Sequence, residues 1–198
     1  AVVCLAVVGV FCSGVAVAGE LYCLPRDFSD TQGANGWYYL SATRPGRYEE
    51  LRFTNSVIPW GVQKYHCWAG NARYLQITGV DGEAFIQTGE GRDTAVAWEA
   101  PRAGTVEVFG MMIATSNSNT YNSWMGPKGD DGIMFSILKG QATIAGPVRV
   151  LHGAEQVQVL TATTPVAPGE RIVFYQARGN WQDGDAAYYC FTVHYVDR

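Results

Sequence analysis

The chain has 198 residues, 47% of them hydrophobic and only 16% charged. One large core can form from that material, and long disordered stretches are excluded. The formal net charge is -4, and the few lysines and arginines are scattered singly, which excludes a basic groove for nucleic acid and a polybasic membrane-surface patch.

Residues 1–19 (AVVCLAVVGVFCSGVAVAG) carry no charge, and the first charged side chain is Glu20. Two readings follow. Ala16-Val17-Ala18 fits the small-x-small rule of signal cleavage, with the cut before Gly19. Against a simple leader, the run is rich in β-branched valine, which favours an extended strand. Such a strand needs an apolar groove, as in subunits of donor-strand filaments, which this segment resembles. Val2, Val3, Leu5, Val7, Val8, Val10 and Phe11 are the side chains that would dock. A membrane helix needs about 20 apolar residues. This run barely reaches that and is interrupted by Gly9, Ser13 and Gly14, so no stable membrane span is expected in the mature form.

Residues 20–198 read as one β-sandwich domain. The candidate strands are Trp37–Ala42, Arg73–Thr78, Ala84–Thr88, Ala95–Glu99, Thr105–Ala114, Ile133–Leu138, Gln156–Thr161, Arg171–Gln176 and Ala187–Val196. Several alternate with period two. Turn clusters separate them: Arg44-Pro45-Gly46, Val80-Asp81-Gly82, Pro127–Gly132, Ala167-Pro168-Gly169 and Asn180–Asp185. No stretch reads as a long amphipathic helix. The spacing predicts an all-β, two-sheet, jelly-roll-like sandwich with an apolar N-terminal extension. Alternation predicts a core of Val106, Val108, Val157, Val159, Ile172, Phe174, Phe191 and Val193.

The five cysteines lack any C-x-x-C pair, so a zinc ribbon is unsupported. One bridge among Cys23, Cys67 and Cys190 is expected outside the cell, with Cys190 as a member. The histidines, His66, His152 and His194, stand far apart. No nucleophile elbow or carboxylate pair of a hydrolase is present, so no catalytic residue is assigned. Asp130, Asp131, Asp183 and Asp185 sit in glycine-rich turns whose oxygens could ligate calcium, although the same residues serve turns on their own account. No other cofactor is implied. Trp37, Tyr39, Trp60, Trp124 and Trp181 lie near turns or strand ends and could stack on sugar faces; large rings also fill sandwich cores.

Phe28-Ser29-Asp30-Thr31-Gln32-Gly33 followed by Asn35-Gly36-Trp37-Tyr38-Tyr39 resembles the opening of β-sandwich modules in secreted bacterial proteins, often found beside polysaccharide-acting enzymes. Trp98-Glu99-Ala100-Pro101-Arg102-Ala103-Gly104-Thr105-Val106, Asp131-Gly132-Ile133, Val166–Phe174, Gly179-Asn180 and Asp183 continue the order over roughly residues 27–196. The resemblance implies a jelly-roll-like fold, an extracellular or cell-surface location and carbohydrate attachment. Two non-enzymatic functions result. The first is a structural subunit that polymerises with itself, head to tail, through residues 1–18. The alternative is a secreted module, with its leader removed, whose partner is a polysaccharide.

Overall fold

The computed structural model describes residues 20–55, 66–72, 75–79, 84–114, 132–151, 157–178 and 186–196. Fourteen strands occur there, in chain order β1 Leu21–Leu24, β2 Trp37–Arg44, β3 Arg47–Glu50, β4 Arg52–Thr54, β5 Cys67–Ala69, β6 Gln76–Thr78, β7 Phe85–Gln87, β8 Asp93–Glu99, β9 Gly104–Ala114, β10 Ile133–Lys139, β11 Ala142–Val150, β12 Val157–Val166, β13 Arg171–Ala177 and β14 Ala186–Tyr195. Among the described residues the single helical element is a 3-10 turn at Ala34–Gly36.

The strands form two antiparallel sheets. The first runs β12-β9-β14-β7-β6-β5-β4, with β1 also paired to β14, and the second runs β11-β10-β13-β8-β2-β3. β14 is central: one side pairs along β9, and the other is shared between β7 at Ala186–Tyr188 and β1 at Phe191–His194. The β2–β3 hairpin closes through Pro45-Gly46, with Arg44 opposite Arg47 and Gly46 at φ 82. Proline presets the first turn position and glycine supplies the left-handed second one.

Period-two alternation buries one face of each sheet against the other. Trp37, Tyr39, Val96, Trp98, Val106, Val108, Ile133, Phe135, Ile172, Phe174, Phe191 and Val193 are all in this core. Phe174 and Phe191 stack with centroids 4.2 Å apart and planes 9° from parallel. A Cβ on Gly110 would lie 2.6 Å from Phe135 Cζ, so the middle of β9 is held to glycine by the ring opposite.

Two core residues expected from alternation are not there. Val157 and Val159 are 47% and 48% exposed, and the inward residues of β12 include Leu160, Thr164 and Val166. The Gln-Val-Gln-Val segment has the right period and the opposite phase. Leu160 sets the phase: it turns inward and packs beside Gly146 of β11, 3.0 Å from where a Cβ would stand there. The expected bridge is also absent: Cys67 and Cys190 are buried free thiols. Two strands, β6 and β7, separate β5 from β14, which puts these cysteines roughly 14 Å apart at the usual strand spacing, beyond disulfide reach. Cys23 is disulfide-bonded, but neither Cys67 nor Cys190 is its partner. Burial pushes the Cys67 and Cys190 thiols up to about 11.

Candidate functional site

The second sheet has two apolar faces. Its inward face joins the main core, and its other face carries a second buried cluster, Leu40, Ala42, Ala95, Ala97, Leu138, Val173 and Tyr175, none more than 4% exposed, with Tyr38, Tyr48 and Ala177 half-buried against them. The registers place these residues in rows. Ala42 lies opposite both Tyr48 and Asp93. Leu40 pairs with Ala95, which pairs with Tyr175. Tyr38 pairs with Ala97, which pairs with Val173. Three alanines therefore run down the middle of the face, and tyrosines stand to either side of them. The alanines are 0% exposed and Tyr175 is 4% exposed, so this row is packed over, and the accessible rings are those of Tyr38 and Tyr48.

Charged groups frame this cluster, each tied to a partner. The Arg171 guanidinium lies 3.8 Å from the Tyr38 ring centroid, and its Nε donates to Glu99 Oε2 at 2.9 Å. At the other end the Tyr175 hydroxyl donates to Asp93 Oδ2. The Arg178 backbone N–H donates to Asp93 Oδ1 at 3.1 Å, with the Arg178 guanidinium 3.9 Å from the same oxygen. Arg92 pairs with Glu49 at 3.3 Å. Burial, and then the hydrogen bond to Asp93, raise the Tyr175 hydroxyl well above the usual tyrosine range; burial also raises Tyr48. These phenols stay neutral and can both donate and accept. Half-exposed rings beside fixed guanidinium and carboxylate groups can stack on the C–H face of a sugar and bond its hydroxyls.

The residues singled out in the sequence fall elsewhere. Trp37 and Tyr39 are 0% exposed and belong to the core. Tyr39 stacks on Trp68 at 4.8 Å, so it is no platform. The Trp37-Tyr38-Tyr39 triplet does alternate, but the two positions of the same parity turned inward, and Tyr38 took the outer face. Trp60, Trp124 and Trp181 lie outside the described residues, as do Asp130, Asp131, Asp183 and Asp185 of the calcium proposal. So do the assembly side chains Val2, Val3, Leu5, Val7, Val8, Val10 and Phe11. Among the described residues no group of three or more His, Cys, Asp or Glu is placed to hold a metal ion, and no helix there is long and apolar enough to cross a membrane. Sequence reasoning missed Tyr48, Asp93, Arg171 and Tyr175. The Asp93–Glu99 alternation signals that Asp93, Ala95 and Ala97 share a face, but Tyr175 joins Asp93 only through strand pairing.

No family model and no curated protein matches the sequence. Solved structures do resemble the fold. A family 35 carbohydrate binding module from Clostridium thermocellum aligns with TM-score 0.32 and 11% identity, covering 63% of this chain and 82% of that one. The CBM22-1 xylan-binding domain of Paenibacillus barcinonensis Xyn10C aligns with TM-score 0.40 and 13% identity, covering 93% and 99%. Isomalto-dextranase from Arthrobacter globiformis T6 aligns with TM-score 0.32 and 13% identity, covering 91% of this chain and 30% of that one.

Proposed function

We propose that this chain is a secreted, non-catalytic carbohydrate-binding module that lays a polysaccharide along the outward face of the second sheet. The observation that carries the reading is the accessible part of that face: the half-exposed Tyr38 and Tyr48 rings, with the Arg171–Glu99 and Asp93–Arg178 pairs beside them. Pre-paired charges suit a neutral ligand rich in hydroxyls, because the carboxylate oxygens keep acceptor capacity and the guanidinium N–H groups not used in the pairs remain donors, at low ordering cost. The order of motifs in the sequence supports the same reading. The head-to-tail filament reading rests on residues 1–18, outside the described residues, and nothing in the described sandwich favours it.

Affinity gel electrophoresis against a panel of soluble plant and microbial polysaccharides tests the proposal. At least one polysaccharide should retard the protein, and Tyr38→Ala and Arg171→Ala should restore its mobility. Unchanged mobility on every polysaccharide would overturn it.

A further inference from the structure

Among the described residues, β1 is a short edge beside β14 and four strands end the two sheets, three of them blunted against pairing. β3 is short and carries Arg47, Glu49 and Glu50. β4 has three residues, led by Arg52. β11 contains Gly146, Pro147 and Arg149, and its pairing to β10 shifts register twice. Charge, brevity, proline and bulges are the usual protections of an edge. β12 has none of them over most of its length. It is ten residues long, with no charged residue and its one proline at position 165.

Main-chain direction on β12 follows from two contacts. Pro165 is opposite Thr105 on β9. The Thr105 carbonyl accepts from Val196 N–H on the far side of β9 at 3.0 Å, and the Pro165 carbonyl accepts Lys139 Nζ at 2.6 Å. Neither group faces the other, so the odd-numbered residues of β12 direct their N–H and C=O away from β9. Val157, Val159, Thr161 and Thr163 thus present a row of donors and acceptors to the edge. No described strand pairs with that edge. The same four side chains are exposed on the outer face.

We propose that β12 is a self-association strand and that two copies of the chain pair through it, antiparallel about a two-fold axis at Leu160. Val159 then opposes Thr161 of the second copy and Val157 opposes Thr163. Every one of these is an odd-numbered residue, so all four N–H and all four C=O groups of each row find partners at once. Pro165, which has no N–H to give, falls just beyond the paired stretch. A second copy is the occupant because the row is complementary to its own reverse. The strand has no charge to repel itself, and each facing pair is β-branched, the combination favoured across strands. The contact is isologous and closes at two subunits, unlike a head-to-tail filament, and it does not depend on carbohydrate binding.

Analytical ultracentrifugation of the 198-residue chain tests it. The wild type should sediment as a dimer, twice 21.6 kDa. Val159→Pro removes an edge-facing N–H without touching the β9 ladder and should weaken the dimer roughly thirtyfold. Thr161→Lys should do the same through charge, and Thr161→Val should leave the dimer intact. Hydrogen exchange at the Val157, Val159, Thr161 and Thr163 amides should slow as concentration rises. A wild type that stays monomeric, or a dimer that survives both Val159→Pro and Thr161→Lys with β circular dichroism unchanged, would overturn the proposal.

Discussion

Removing the Asp93 carboxylate is the sharpest single perturbation of the outward face. Asp93 is 8% exposed and accepts from the Tyr175 hydroxyl and from the Arg178 backbone N–H. Asp93→Ala strips both donors of their acceptor. Tyr175 is 4% exposed, so its hydroxyl cannot turn to water, and a stranded buried donor costs about 1–3 kcal/mol. The Arg178 pair is half-exposed and adds no more than about 1 kcal/mol. The substitution should therefore cost about 2–4 kcal/mol, or roughly 4–16 °C in Tm for a domain of this size. Tyr175→Phe removes the donor along with its need and should cost about 0.5–1.5 kcal/mol. In the double variant the Tyr175 penalty disappears, so the two losses should fall short of additive by about 1 kcal/mol or more. Urea denaturation followed by tryptophan fluorescence measures all three variants. Strict additivity, or an Asp93→Ala protein within about 0.5 kcal/mol of wild type, would refute the coupling.

The register of β12 predicts that Leu160→Ala costs about 2–4 kcal/mol whereas Val159→Ala stays within about 0.5 kcal/mol, read by the same denaturation. Gly110→Val should lower Tm by several degrees in a thermal melt, because Phe135 and Phe174 close over the position and overpacking costs about 1–3 kcal/mol. The thiols of Cys67 and Cys190 should be inert to Ellman's reagent in the native protein and react fully in urea. Their pKa is raised in the fold, so their contribution to stability is intact below the unfolded value of 9.0 and is lost as pH climbs to about 11. Cys67→Ala and Cys190→Ala should each flatten that alkaline fall in Tm.

All nine strands expected from alternation are present, because each is bounded by turn residues and carries β-branched or aromatic side chains. The strands left unread are the ones whose composition hides them. β3 reads Arg-Tyr-Glu-Glu and is stabilised by one neighbour alone. β11 holds a Gly-Pro pair that a central strand would reject and an edge tolerates. β1, β4 and β5 are too short to show a period. Phase was harder than period. A run such as Trp37-Tyr38-Tyr39 states that its ends share a face, but not which face meets the other sheet. Volume in the core decided that, turning Trp37 and Tyr39 inward and leaving Tyr38 outside. Val157 and Val159 lost the same contest to Leu160 and Val166. The candidate face was beyond sequence reasoning for a related reason: Ala42, Ala95, Ala97 and Tyr175 come from three strands that meet only through long-range pairing.

The account stands on the claim that the outward face of the second sheet binds carbohydrate. The direct test is an amide chemical-shift titration of the 198-residue chain with oligosaccharides of the polysaccharide that retards it. Saturable shifts should cluster at Tyr38, Tyr48, Glu99 and Arg171 and be absent from β9 and β14. Shifts that gather on another surface, with this face silent at saturation, would contradict it.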